Sequence, residues 1–117
     1  MKKDIETPEN CLLLVEEFYK KLLDHEEMRP FFIHLDLKPH IQVVADFWST
    51  ILLGTAIYKN NTVAAHKDLP LEKAHFEIWL SLFNETVESL FEGEKAKEAI
   101  SRARTIGLTM RYKLLGS

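Results

Sequence analysis

Residues 7–23 read TPENCLLLVEEFYKKLL, and their spacing decides the fold class. Thr7 is placed to cap a helix start, and Pro8 falls at the first helical position, where its missing N–H costs nothing. Beyond them Cys11, Leu12, Val15, Phe18, Tyr19, Leu22 and Leu23 recur at steps of three and four, opposite Glu16, Glu17, Lys20 and Lys21. That is the period of an amphipathic α-helix with one buried face, not the two-residue alternation of a half-buried strand.

The same period returns downstream. Pro30-Phe31-Phe32 predicts a short helical turn, and a second long helix is predicted from Pro39 to about Ile57. Its inward stripe is His40 or Ile41, then Val44, Phe47, Trp48, Ile51 and Leu52. A turn at Asn60-Asn61 leads into one or two helical turns, Val63 to His66, before Asp68 and Pro70. A third long helix covers about Leu71 to Phe91, with Phe76, Trp79, Leu80, Phe83, Val87 and Leu90 inward and Glu72, Lys73, Glu77, Ser81 and Glu88 outward. Gly93 ends it. The last helix runs from about Glu94 to Leu115, with Ala96, Ala99, Ile100, Ala103, Ile106, Met110 and Leu114 on one side. No repeat or linker breaks the pattern, so residues 1–117 are expected to form one all-α domain.

Composition narrows the function. Only 4 Gly and 4 Pro are present, too few for a sheet-rich fold that turns every ~8–12 residues. A net charge of −3 gives no reason to expect a nucleic-acid partner. From Glu94 onward six Lys or Arg stand against two acids, while the remainder carries nine against sixteen. A solvated basic face suited to a helix C-terminus is the plain reading of that run. The single Cys11 excludes an intramolecular disulfide and a Cys-rich zinc site, and fits a reducing compartment. The apolar run Cys11 to Val15 stops at Glu16-Glu17, short of the ~7–15 residues of an export signal core. Nothing approaches the ~20 apolar residues of a membrane-spanning helix. A soluble, cytoplasmic protein is expected.

The usual enzyme signatures are missing. Gly54, Gly93, Gly107 and Gly116 stand alone, so there is no phosphate-cradling loop. His25-Glu26-Glu27-Met28 lacks the second His of a zinc protease. Cys11, on an apolar stripe, reads as a small core hydrophobe. What stands out is polar tips on inward faces. Tyr19 shares a face with Val15 and Leu22, His40 with Val44 and Phe47, and Trp79 with Phe76 and Phe83. Each alone serves a core once its tip has a partner. Three of them on three helices can converge on one cavity and offer donors to a bound molecule.

His66 is the odd residue, beside Ala64 and Ala65, whose small side chains admit a large flat ligand. Neutral imidazole binds iron through one nitrogen while the other donates to a carbonyl, here that of Thr62 one turn back. An exposed or N-capping histidine is the competing reading. His25, His34 and His75 sit in charged or irregular contexts and read as surface histidines.

Taken in order, these residues resemble a known family. Phe18-Tyr19, Pro30 with Phe32, His40 followed by Phe47-Trp48, and Leu52-Leu53-Gly54 come first. His66-x-Asp68-Leu69-Pro70 and Phe76-Glu77-Ile78-Trp79-Leu80-x-Leu82-Phe83 follow. Order and spacing together resemble the truncated haemoglobins, specifically the third group, from about Leu13 to Tyr112. Val43 and Ala65 depart from the pattern, standing where a relative often has a basic residue near the haem edge.

The resemblance implies a shortened globin of helices packed two over two, with haem b between them. It implies His66 as the proximal iron ligand, Tyr19 and Trp79 as distal hydrogen-bond donors, and His40 as the distal histidine. Phe32 matches the aromatic that packs on the haem face, and Phe18, Val44, Phe47 and Trp48 match apolar positions of the pocket or its distal side. Leu69, Phe76 and Met110 complete the expected haem pocket. No Cys-x-x-Cys-His site exists, so the haem is expected to be held without a covalent link. The function that follows is binding of O2, NO or CO at iron, for O2/NO redox chemistry, by a monomer served by a separate electron donor. Alternatives are a dedicated nitric oxide dioxygenase or peroxidase-type enzyme, and a haem-free helical interaction domain.

Overall fold

Thr7 opens the first helix as its residue type dictates. In the computed structural model, which describes residues 2–55 and 72–116, α1 spans Pro8–Asp24. The Asn10 N–H donates to Thr7 Oγ1 at 3.1 Å, and Asn10 Oδ1 accepts from the N–H groups of Thr7 and Glu6. This reciprocal cap is worth about 1 kcal/mol. The buried face is Cys11, Leu14, Val15, Phe18, Tyr19 and Leu22. Leu14 lies deeper than the spacing predicts because α1 packs against two other helices, so its apolar arc is wide.

A 3-10 turn at Arg29–Phe31 follows, as Pro30 predicts. Helix α2, Leu37–Leu53, starts ahead of Pro39 instead of at it. Proline is tolerated there because first-turn N–H groups have no intrahelical acceptor. The helix also ends earlier than Ile57. Gly54 adopts φ 72°, a left-handed C-cap whose N–H donates to the Thr50 carbonyl.

Helix α3 spans Lys73–Leu90 and α4 spans Glu94–Leu115. Glu72, Lys73, Glu77, Ser81 and Glu88 are all exposed, as their register requires. Between the two helices Gly93 has φ 142° and ψ −169°, a region that only glycine visits readily. A Cβ there would lie 2.6 Å from Asp4 Cγ. Asp4 needs that space, because its carboxylate accepts from the N–H groups of Lys95 at 2.9 Å and Ala96 at 2.8 Å. The N-terminal segment thus caps α4 from outside the helix.

Helices α1 and α2 pack as one pair and α3 and α4 as another, with α1 lying against α3 and α2 touching α4. This is the two-over-two arrangement, and the described residues form helices and no strand. At its centre Phe83 is stacked by Trp48 at 4.7 Å and by Trp79 at 5.8 Å, and meets Phe18 edge-on at 5.2 Å. Ala96, Ala99 and Ala103 line the buried side of α4. Among the described residues no helix is long and apolar enough to cross a membrane.

Candidate functional site

The bundle's aromatic centre continues into a cavity of about 50 Å³ lined by Tyr19, Met28, Phe31, Phe32, His75, Phe76, Trp79 and Met110. Five of these (Tyr19, Phe32, Phe76, Trp79 and Met110) are residues the sequence points to, and they come from both helix pairs and from the end of the 3-10 turn that joins α1 to α2. Space of that size takes molecules of about the bulk of water.

Tyr19 supplies the cavity's hydroxyl. Its position on the buried arc of α1 leaves it 6% exposed, between the edges of Phe18 and Phe32. Burial pushes its hydroxyl well above the ordinary tyrosine range, so the group stays protonated and able to donate. The oxygen lies 2.8 Å from Nε2 of His40, with the rings 5.4 Å apart. His40 occupies the first turn of α2, which sets its imidazole over α1.

This pair has two proton arrangements. With Nε2 unprotonated, Tyr19 donates to His40 and the pair is closed on itself. With Nε2–H present, His40 donates and the tyrosine proton is released for a third molecule. The tautomer therefore decides whether the cavity offers an O–H.

Trp79 is half-buried on α3, edge-on to Phe18 at 5.9 Å. Its ring lies near Gly107, where an added Cβ would make ordinary contact at 3.6 Å. Phe18 and Trp48 sit in the aromatic stack behind the cavity, and Val44 and Phe47 are half-buried on α2, Phe47 edge-on to Trp48. His66 and Leu69 lie outside the described residues.

Three lining residues escaped the reading of the sequence: Met28, Phe31 and His75. His75 is a half-buried cavity residue, not the surface histidine its charged neighbours suggested. Its Nδ1 accepts the Glu72 N–H at 2.8 Å, and its ring meets Phe31 at 4.8 Å. That backbone bond leaves Nε2 as the proton-bearing nitrogen of the neutral ring. The signal was available, since His75 stands four residues before Trp79 and shares its helix face.

Cys11 is fully buried and its thiol is pushed up to about 11 by burial, which keeps it protonated and out of metal chemistry. Among the described residues no group of three or more His, Cys, Asp or Glu could hold a metal ion. The side chains around this space are of the kind that pack against a flat apolar macrocycle, though the space they enclose among the described residues is far smaller than one. Phe32, Phe76 and Trp79 offer ring surfaces and Met110 an adaptable thioether, while Tyr19, His75 and Trp79 bring polar tips, with His40 behind the Tyr19 hydroxyl.

Comparison with known proteins gives this chemistry its context. A family model described as bacterial-like globin matches residues 5–111. The chain is 30% identical to a group 3 truncated hemoglobin of Campylobacter jejuni, with 99% of each covered. The crystal structure of the group III truncated hemoglobin from Campylobacter jejuni matches with a TM-score of 0.88 at 30% identity, over 97% of this chain and 95% of that one. The 2/2 hemoglobin of Synechococcus sp., solved in the cyanomet state with covalently attached heme, matches with a TM-score of 0.80 at 26% identity, over 97% and 95%. A two-over-two helical bundle with an aromatic cavity, matched along nearly its whole length, identifies the chain as a member of the bacterial-like globins and, within them, of the group III truncated haemoglobins.

Proposed function

We propose that this chain holds one non-covalent haem b through His66 and binds O2, NO and CO, with Tyr19 and Trp79 as distal donors and His40 as the residue that governs them. When bound, the haem supplies a redox-active iron able to take a diatomic ligand. The observation that carries the reading is the Tyr19–His40 pair, 2.8 Å apart beside a cavity that Trp79 also lines.

The residues act by position and by exclusion of water. A diatomic ligand that gains negative charge is stabilised by preorganised donors in a dry pocket more than it would be in water. Tyr19 gives one O–H and Trp79 only its indole N–H, both suited to that charge. His40 sets how much of the Tyr19 proton is available. Phe32, Phe76 and Met110 keep the space apolar, so the donors compete with little solvent.

Two donors acting together slow ligand release, which suits reaction better than delivery. The proposed role is therefore O2/NO redox chemistry rather than carriage. NO, O2 and one electron together make one nitrate, so a haem held here would need one electron from outside for each turnover. The chain's glycines, Gly54, Gly93, Gly107 and Gly116, form no nucleotide-binding loop, so the proposed electron comes from a separate donor.

Stopped-flow mixing of the ferrous, oxygenated protein with NO tests this role. Rapid formation of ferric protein with stoichiometric nitrate is expected. Slow or partial conversion together with fast O2 release would reduce the role to simple ligand binding.

A further inference from the structure

We propose that the outer face of the C-terminal half of α4 is a docking surface for an acidic, electron-carrying protein. The inference rests on the redox role proposed above, which requires such a donor. Leu108, Tyr112 and Leu115 are 47%, 68% and 40% exposed at steps of four and three, and form one stripe along the helix. Arg104 and Arg111 share that face, one turn before and one turn after Leu108. From Ile100 to Ser117 the chain carries four Lys or Arg and no acid, in a protein of net charge −3. Exposed Tyr and Leu rimmed by Arg have the make-up of a protein interface, apolar at its centre and charged at its edge.

The alternatives fit the same observations less well. A symmetric pair of copies would bring this basic segment against itself, and Arg104 would meet like charge with no acid between residues 100 and 117 to answer it. A membrane needs a broad apolar helix face, whereas the inner face of α4 is already buried in the bundle and only three apolar side chains remain outside. An acidic partner answers both features, covering the stripe and pairing with Arg104 at its edge.

The placement also suits the task. Met110, on the inner side of the same helix, lines the cavity, and Gly107 lies beside the Trp79 ring. A partner on the outer face stands about one helix diameter, ~10 Å, from the cavity wall. The step it would serve is a one-electron transfer. The partner's reduced cofactor loses one electron, ferric iron gains it, and no bond or proton moves.

The test is a titration of the haem-loaded, ¹⁵N-labelled protein with an acidic plant-type [2Fe–2S] ferredoxin and, in parallel, an acidic flavodoxin. Amide shifts centred on Leu108, Tyr112 and Leu115 are expected, with affinity falling about tenfold between ~20 and ~200 mM salt. Arg104→Glu and Tyr112→Ser should each weaken binding about tenfold while circular dichroism and the Soret band stay unchanged. Leu13→Ser, an exposed site on α1, should leave binding as it was. The proposal is overturned if neither probe shifts α4, or if Arg104→Glu binds as tightly as the parent. Tighter binding to phosphatidylglycerol vesicles, or a dimer that Tyr112→Ser dissolves, overturns it in favour of a membrane or a second copy. Docking is read without turnover, so docking accompanied by no nitrate formation would remove the redox role and leave the surface standing.

Discussion

The Tyr19 hydroxyl and His40 Nε2 stand 2.8 Å apart, one carried by α1 and the other by α2. Neither helix alone makes a site. Their packing places a buried phenol, held protonated by its surroundings, against an imidazole whose tautomer decides where the phenol proton points.

Tyr19→Phe removes only the hydroxyl and leaves the ring packed against Phe18 and Phe32. Losing a donor to a charged acceptor costs about 1–3 kcal/mol, or roughly 5- to 150-fold in affinity. O2 dissociation measured by stopped flow should accelerate by that factor, with little change in unfolding midpoint. An off-rate within about twofold of the parent would remove Tyr19 from the distal donors. Trp79→Phe should act in the same direction.

His40→Leu separates control from donation. With the imidazole gone, the Tyr19 proton has no histidine to engage, and ligand binding should depend on Tyr19 alone. The CO on-rate should rise, or a six-coordinate resting spectrum should disappear, because the same substitution also removes the imidazole from the first turn of α2. Flash photolysis and the ferrous spectrum read both. If neither changes, His40 has no part in the site.

The third prediction falls on His66, which lies outside the described residues. His66→Ala should lose haem or hold it loosely, since a metal ligand also contributes binding free energy to folding. Haem transfer to apomyoglobin is the measurement. Retention as tight as the parent, with an unchanged ferrous spectrum, would require another axial ligand.

The helices were legible because their information is local. Thr7-Pro8, Gly54 and Gly93 punctuate the chain, and the apolar spacing between them sets which face turns inward. Even so, Gly54 ended α2 earlier than its apolar run suggested, because a left-handed C-cap stops a helix whatever follows. The candidate site was legible in part. Tyr19, Phe32, Phe76, Trp79 and Met110 meet at one cavity, as inward faces of elements that must share a core. Met28 and Phe31 were missed because they lie in an irregular segment where no period assigns a face. His75 was missed because charged neighbours in sequence outweighed its register with Trp79. The Asp4 cap was beyond any sequence reading, since it joins residues more than 90 apart.

That cap carries the last prediction. Asp4 accepts from the N–H groups of Lys95, Ala96 and Ile5. Burial raises its pKa, but these hydrogen bonds and the Lys95 charge lower it and prevail, so the carboxyl titrates below its ordinary 3.8. A group whose pKa is depressed by folding contributes stability above its unfolded value and loses it as pH falls through the folded one. Asp4→Ala should then cost about 0.5–2 kcal/mol near neutral pH, the usual worth of a helix N-cap. Urea unfolding of both proteins should show that difference undiminished down to about pH 5 and shrinking as pH falls further, through the folded carboxyl's own titration. A difference that persists unchanged well below the ordinary carboxylate pKa would mean that Asp4 acts through its packing beside Gly93, and not through its charge.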